Sequence, residues 1–282
     1  MANHAFIALE TALRARKLDR TLTTALPPLE RVDPAAMVPT DIERLDGQLQ
    51  GGIPRGQLSE LAGPLTSGRT AVLLQIAAAV TRRGELAAII DTFDRLDVAS
   101  AVAAGIDLER LLWIRLPANA PPASHVERRI GSGDALDRAI GRALKALNLV
   151  LQAGGFTLVA LNFADVPPAA LKRIPFTTWL RVQRTIEGSD TACVLVVPEP
   201  AARSAGGLTL TLMGRAMWMG TTAHSRRLTG IDVGVRVVSP RRRVEGECRV
   251  RCAEPGLREM EGGSVARAGN AGEADLLRRG EM

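Results

Sequence analysis

Short, nearly continuous apolar runs alternate along the chain with longer segments in which apolar residues recur at helical spacing. The runs lie at 57–62, 86–91, 110–115, 156–162 and 191–197. Strands that are apolar on both faces and separated by helices are typical of a parallel sheet covered on both sides. The pattern therefore predicts an α/β fold with a mainly parallel central sheet and helices on both of its faces.

The segments between these runs show the period of an amphipathic or buried helix, and they lie at 40–52, 70–84, 134–154 and 168–186. Pro175 falls inside the last segment and is expected to break or kink that helix, because proline removes a backbone donor and clashes with the preceding turn. After Gly207 the pattern favours strands at 208–214, around Trp218 and at 232–238. These stretches predict an antiparallel β extension of the sheet.

The chain is expected to divide into an N-terminal helix and linker at 1–39, a core domain at 40–252 and a tail at 253–282. The tail is polar and rich in glycine, and is predicted to be disordered. The apolar residues of segment 4–20 form one stripe of an amphipathic helix: Phe6, Ile7, Leu9, Leu13 and Leu18. The stripe either packs on its own domain or binds a partner, because large uncovered apolar patches mark interaction sites.

The chain is basic, with 36 Lys and Arg against 30 Asp and Glu and a formal net charge of +6. This balance favours an anionic partner such as nucleic acid, although the dominance of Arg over Lys also fits a GC-rich genome. Basic residues are densest at 226–251, where the candidate DNA contacts are Arg226, Arg227, Arg241, Arg242 and Arg243. The alternative is that these residues form a solvated face.

Cysteine is sparse, with three residues in the chain, which argues against a disulfide framework and fits a reducing cytoplasm. The chain shows no signal peptide and no uninterrupted apolar run of about 18 residues, the length that a membrane span needs. A cytoplasmic protein with no membrane partner is therefore expected.

A glycine-bearing turn joins the apolar run at 57–62 to the helical segment at 70–84, which is the context of a phosphate-binding P-loop. Backbone N–H groups of such a loop converge on phosphate oxygens at the positive end of a helix. The hydroxyl of Thr70 is placed to bind Mg²⁺. The candidate nucleotide-binding residues are Gly63, Pro64, Leu65, Thr66, Ser67, Gly68, Arg69 and Thr70.

Arg69 stands where the P-loop pattern has Lys. The exchange is not conservative, because Lys is a compact point charge that fits between terminal phosphates whereas Arg is a longer planar fork.

Three segments resemble the bacterial RecA recombinases and their shorter repair relatives: 45–70, 86–115 and 156–162. The spacing of Asp91, Asp97 and the sequence AAGIDLERLL is especially typical of them. The resemblance implies a RecA-like P-loop NTPase fold and a site for ATP and Mg²⁺. It also implies that Asp97 lies near the adenine.

The chain departs from the RecA pattern at the positions that resemblance assigns to hydrolysis. Phe93 replaces the catalytic Glu, Asn162 replaces the Asp that supports Mg²⁺, and Pro198 and Glu199 stand where a polar sensor residue is expected. Phosphoryl transfer depends on positioning and charge around the γ-phosphate. We therefore expect weak ATP and Mg²⁺ binding, no efficient hydrolysis and no catalytic residue.

The stretches that correspond to the DNA-binding loops of RecA, 164–175 and 198–207, are short, which argues against strand exchange. The profile most resembles the ImuA-type relatives of RecA, and implies a role in the DNA damage (SOS) response that supports translesion synthesis. The partners so implied are an inactive Y-family polymerase homologue, an error-prone polymerase, RecA and DNA, close to the bacterial nucleoid. Two alternatives stay open: an active DNA-dependent ATPase in which Arg69 substitutes for Lys, and a regulator of RecA filaments.

Overall fold

The computed structural model describes residues 33–116, 132–202, 207–220, 222, 225–239 and 247–253. The predicted N-terminal helix at 4–20 and the predicted tail beyond Ala253 lie outside the described residues. So do three of the candidate DNA contacts, Arg241, Arg242 and Arg243.

An eight-stranded sheet forms the centre of the molecule. Its parallel strands are β3 (Leu58–Ala62), β4 (Ala87–Asp91), β5 (Leu111–Arg115), β6 (Leu158–Asn162) and β7 (Ala192–Val197), and it continues through β8 (Thr209–Met219), β9 (Arg227–Ser239) and β10 (Glu247–Ala253). The strand order is β10-β9-β8-β3-β7-β6-β4-β5. The five predicted apolar runs are the five parallel strands, and β3 lies at the centre of the sheet between β7 and β8.

Helices cover both faces of this sheet, as the pattern predicts. One apolar core lies under α1 (Glu43–Leu49), α2 (Arg69–Arg82) and α3 (Val98–Ala103). The other lies under α4 (Ser132–Ala153), α5 (Pro168–Leu171) and α6 (Phe176–Ile186). The predicted helix at 168–186 is broken at Pro175 as expected, because α5 ends at Leu171 and α6 begins at Phe176, directly after the proline. Among the described residues, no helix has the length and hydropathy to cross a bilayer.

The antiparallel extension is present, but its strands differ from the prediction. β8 pairs parallel with β3, and β9 and β10 then pair antiparallel, each with the strand before it. The stretches 208–214 and around Trp218, predicted as separate strands, belong to the single strand β8, which carries irregularities at Thr209/Leu210 and Met217/Trp218. A small second sheet pairs β1 (Met37–Val38) with β2 (Ile53–Pro54). Overall, the fold is the predicted one: mainly parallel, covered on both faces, and extended by antiparallel strands.

Candidate functional site

The predicted phosphate loop connects the carboxyl end of β3 to the start of α2. The backbone N–H of Gly63 donates to Val197 O at 3.1 Å, so the loop leaves the sheet beside the end of β7. Gly68 caps α2 with φ 84°, a left-handed conformation that favours glycine. The loop therefore lies at the carboxyl edge of a central parallel strand, where open α/β sheets bind ligands.

The antiparallel extension packs tightly against the back of this loop. A Cβ atom at Gly68 would collide with the side chain of Val233 on β9, and one at Gly214 on β8 would collide with Thr66 O. A Cβ atom at Gly63 would lie 2.7 Å from Leu212 O. The glycines are thus required by close packing, and β8 and β9 hold the loop in place.

The tip of the loop is exposed while its base is buried. Pro64, Leu65 and Thr66 face solvent, and Leu65 is 69% exposed. Thr66 has φ 64°, and the N–H of Ser67 donates to Pro64 O at 3.2 Å, so one loop amide is used within the turn. The Ser67 hydroxyl is buried and has no hydrogen-bond partner within the described part of the chain.

Arg69 is 4% exposed and points into the protein. Its Nη1 atom donates to Gly63 O and, at 3.3 Å, to Val197 O, while Nη2 donates to Ala164 O at 2.7 Å. Burial lowers the pKa of the Arg69 guanidinium, and the negative charge of Asp165 acts in the opposite direction. The side chain thus joins the carboxyl end of β3 to the end of β7 and to the segment that follows β6.

Asn162 lies at the end of β6 and holds the residue that Arg69 contacts. Its Oδ1 accepts from Ala164 N at 3.1 Å. Asp165, the next residue, pairs with Arg95 at 3.5 Å. The sequence pattern did not predict roles for Ala164 and Asp165, although it had marked Arg69 and Asn162, which contact Ala164, as departures from the RecA pattern.

The carboxyl end of β4 carries a buried carboxylate, Asp91. Its Oδ2 accepts from Leu96 N at 2.7 Å and from the Trp113 indole at 3.3 Å, and its Oδ1 is buried without a partner in the described part of the chain. Phe93, two residues on, packs against the apolar core under α4 and α6. At position 93, where the resemblance led us to expect a catalytic Glu, the chain therefore has a residue that packs against the core.

Asp97 caps the N-terminus of α3. Its Oδ2 accepts from Ser100 N at 2.8 Å and from the Ser100 hydroxyl at 2.5 Å. The hydrogen bond from the Ser100 side chain, and then that from its backbone, lower the pKa of Asp97. The side chain is exposed, but its described hydrogen bonds are to the helix that it caps.

The described residues supply only part of what a complex of Mg²⁺ and a nucleoside triphosphate would need. Thr70 is exposed in the first turn of α2, where its hydroxyl would reach a metal. However, the Arg69 guanidinium is directed at backbone carbonyls. Positions 93 and 162 supply no carboxylate.

Two of the predicted DNA contacts, Arg226 and Arg227, are described and exposed. Arg227 begins β9 opposite Met219, next to Trp218, which is 56% exposed. Further along the extension, Arg215, Arg236 and Arg249 are exposed on β8, β9 and β10. Arg236 and Arg249 belong to the predicted basic region at 226–251, and the structure adds Arg215 and the exposed ring of Trp218 to it.

Comparison with known proteins connects this site to one family. A family model described as the RecA N-terminal domain matches residues 31–148. Protein RecA of Nautilia profundicola is 34% identical over 166 residues, which is 58% of this chain and 45% of that RecA. Protein RecA of Picosynechococcus sp. is 35% identical over 112 residues, which is 40% of this chain and 32% of that RecA.

The chain therefore spans less than half the length of these curated relatives. The matched residues contain the phosphate loop, β3, β4 and β5. Together with the topology of the sheet, these similarities support a RecA-like protein.

Proposed function

We propose that this protein is a RecA-like accessory factor of bacterial DNA repair that acts through protein contacts and without efficient ATP hydrolysis. The observation that carries the proposal is the direction of Arg69. The one basic side chain of the phosphate loop is buried and bound to carbonyls of the protein itself. A site in this form lacks the positive charge that would neutralise a γ-phosphate.

The loss of hydrolysis follows from what phosphoryl transfer requires. Catalysis of this reaction rests on positioning and on electrostatic stabilisation of the transferred group. Here the loop cation is turned away, the catalytic carboxylate position carries Phe93, and the position that supports Mg²⁺ carries Asn162. Removal of one preorganised electrostatic contact costs about 100-fold to 1,000-fold in rate, so the three changes together are expected to reduce turnover to the level of buffer. Any nucleotide binding is then weak.

A RecA-like protein that does not hydrolyse ATP is better suited to a role in binding other proteins than to an ATP-driven process. We place the protein with the ImuA-type factors, which it resembles in its altered site. Its partners are then an inactive Y-family polymerase homologue, an error-prone polymerase and RecA, in the cytoplasm near the nucleoid. The function is to support translesion synthesis after DNA damage.

Direct contact with DNA is the second part of the proposal, and the antiparallel extension is the surface that favours it. Arg215, Arg226, Arg227, Arg236 and Arg249 are exposed there, beside the exposed ring of Trp218. Arginine clusters bind the phosphate backbone, and exposed aromatic rings stack on the bases of single strands.

The partner role is tested with the full chain and a variant that lacks residues 1–24. The purified polymerase homologue, the error-prone polymerase and RecA are each immobilised, and binding is measured with and without Mg-ATP. The proposal predicts binding to a polymerase component that nucleotide does not change. The truncated variant is expected to fold, as judged by its melting temperature, and to lose this binding.

Binding to RecA alone would instead favour a regulator of RecA filaments. Binding that requires ATP would favour the active ATPase. A truncated variant that unfolds would show that the apolar stripe at 4–20 packs on its own domain.

A further inference from the structure

The replacement of Lys by Arg at position 69 brings new contacts as well as a lost phosphate ligand. The carboxyl ends of β3, β7 and β6 meet at this side chain, through Gly63 O, Val197 O and Ala164 O. These strands are neighbours in the sheet, in the order β3-β7-β6. A single guanidinium therefore spans three adjacent strand ends at the edge where a ligand would bind.

The geometry suits arginine and no other side chain. A guanidinium has five N–H donors in a rigid planar fork, whereas an ammonium has three donors around one point. Arg69 uses two separate nitrogen atoms, Nη1 towards β3 and β7 and Nη2 towards Ala164. A Lys at this position would have a single nitrogen atom to donate to all three carbonyl oxygens, Gly63 O, Val197 O and Ala164 O.

Asn162 forms a hydrogen bond with the backbone of Ala164, the residue whose carbonyl Arg69 contacts. It accepts the N–H of Ala164 at 3.1 Å while Arg69 donates to the carbonyl of Ala164 at 2.7 Å. Two positions that differ from the hydrolytic pattern thus hold one residue. Asp165 follows it and pairs with Arg95 at 3.5 Å, which ties the same segment to the loop after β4.

We propose that Arg69, together with Asn162, is an internal lock that takes the place of a bound nucleotide in organising the phosphate loop. The lock fixes the loop to the ends of β6 and β7, so the protein keeps one conformation whether or not nucleotide is present. This inference rests on the proposed absence of ATP hydrolysis. It adds that the altered residues have a positive structural role.

The rival explanation is a switch, in which Arg69 leaves the carbonyls and turns to the phosphates when Mg-ATP binds. Both explanations are tested by melting temperature and by hydrogen exchange of the segments at 60–70, 158–166 and 192–199. The variants are Arg69→Met and Arg69→Lys. The controls are Arg82→Met and Arg82→Lys, since Arg82 lies on the same helix and makes an exposed ion pair with Asp41.

The lock predicts that Arg69→Met melts about 10 °C below wild type, because hydrogen bonds from a charged donor to buried acceptors are lost. Arg69→Lys is expected to lose roughly half of that, because an ammonium can serve only some of the acceptors. Exchange should accelerate in the three segments and not elsewhere. If Arg69→Met does not fold, the melting temperatures and exchange rates of Arg69→Lys and Arg82→Lys are compared instead, and the lock predicts a lower melting temperature for Arg69→Lys.

Equal melting temperatures for each Arg69 variant and its Arg82 control would overturn the lock. So would a wild-type protein in which a non-hydrolysable Mg-ATP analogue changes exchange at 158–166 and 192–199, because that is the behaviour of a switch. Steady turnover of ATP by the wild type would instead contradict the proposed function. Failure of the lock would thus be seen in melting temperature or hydrogen exchange, and failure of the proposed function would be seen in ATP turnover.

Discussion

Arg69 and Asn162 hold the two ends of one residue, Ala164, although they lie on different elements of the fold. The guanidinium donates to the carbonyl of Ala164 at 2.7 Å, and the Asn162 side chain accepts from its N–H at 3.1 Å. Both residues stand at positions where the resemblance to RecA leads us to expect a different one. Their joint contact links the two substitutions physically, so a change in one is expected to alter the effect of a change in the other.

The Asn162 contact predicts a difference between two substitutions. Asn162→Ala removes the acceptor of Ala164 N and is expected to lower the free energy of unfolding by about 1 kcal/mol, the usual net value of one hydrogen bond. Asn162→Asp keeps an oxygen in the same place and should remain close to wild type at neutral pH. Urea unfolding of both variants measures the difference. Equal stability of the Ala and Asp variants would show that the contact is not formed in solution.

Glu60 predicts a second stability effect, on the segment that follows β7. It is fully buried in β3, and its carboxylate accepts from Ala201 N at 2.8 Å, Ala202 N at 2.7 Å and the Thr209 hydroxyl at 3.2 Å. Glu60→Ala removes the oxygens that accept these three hydrogen bonds and should cost roughly 3 kcal/mol or more. Glu60→Gln keeps one oxygen and should cost about half as much.

Chemical denaturation measures both Glu60 variants, with the exposed Glu43→Gln as control. That control is expected to lie within about 0.5 kcal/mol of wild type. A Glu60→Ala protein as stable as the control would contradict a structural role for the buried carboxylate.

The predicted strands and the observed ones agree where side chains are apolar on both faces. All five parallel strands begin and end within two residues of the apolar runs. Strands β3, β4, β6 and β7 are buried along almost their whole length, which leaves a continuous apolar signal, whereas β5 at the edge of the sheet is partly exposed. The signal fails in the extension, where Met213, Arg215 and Trp218 are exposed on β8. The exposed positions interrupt the apolar pattern of β8, so the sequence predicted two short strands where the structure has one long strand.

The position of the loop at 63–70 could be predicted from the sequence, but the contacts of its Arg69 side chain could not. The glycines and the strand-to-helix context located the loop at 63–70, and local spacing is sufficient for that. The direction of Arg69 depends on carbonyls at 164 and 197, which are about a hundred residues away along the chain. Such a contact becomes visible only when the strand order is known.

Asp97 predicts a pH-dependent contribution to stability. Hydrogen bonds from Ser100 lower its pKa below the ordinary value of 3.8. Its stabilising effect is therefore fully present above that ordinary value and is lost as the pH falls through the lower pKa of the folded protein. At neutral pH, Asp97→Ala should melt about 2–4 °C below wild type, and Asp97→Asn should lie close to wild type because Asn also caps helices.

The gap between wild type and Asp97→Ala should close in strong acid, where the carboxyl group is protonated. Melting curves across the acid range measure this convergence. A gap that stays constant down to the lowest pH at which the protein folds would show that the carboxylate charge is not involved.

The basic extension predicts salt-dependent binding of single-stranded DNA. Replacement of Arg226 and Arg227 together by Ala should weaken binding and lower the magnitude of the slope of log K against log salt by about 1.4, roughly 0.7 for each phosphate contact with a single strand. Trp218→Ala should weaken binding with little change in that slope, because stacking is not ionic. Fluorescence anisotropy of a labelled oligonucleotide measures both, with the exposed Arg110→Ala as control. Unchanged DNA affinity in the Arg226 and Arg227 double variant would show that these two residues do not contact DNA.

The absence of efficient ATP hydrolysis is tested by the release of inorganic phosphate from Mg-ATP by the purified protein. The release is measured with and without single-stranded DNA, beside an active RecA and beside the Thr70→Ala variant. Wild type and Thr70→Ala are both expected to release phosphate at the same rate as buffer, because Arg69 is held by Gly63, Val197 and Ala164 and positions 93 and 162 carry no carboxylate. DNA-stimulated turnover by the wild type that Thr70→Ala abolishes would contradict this expectation.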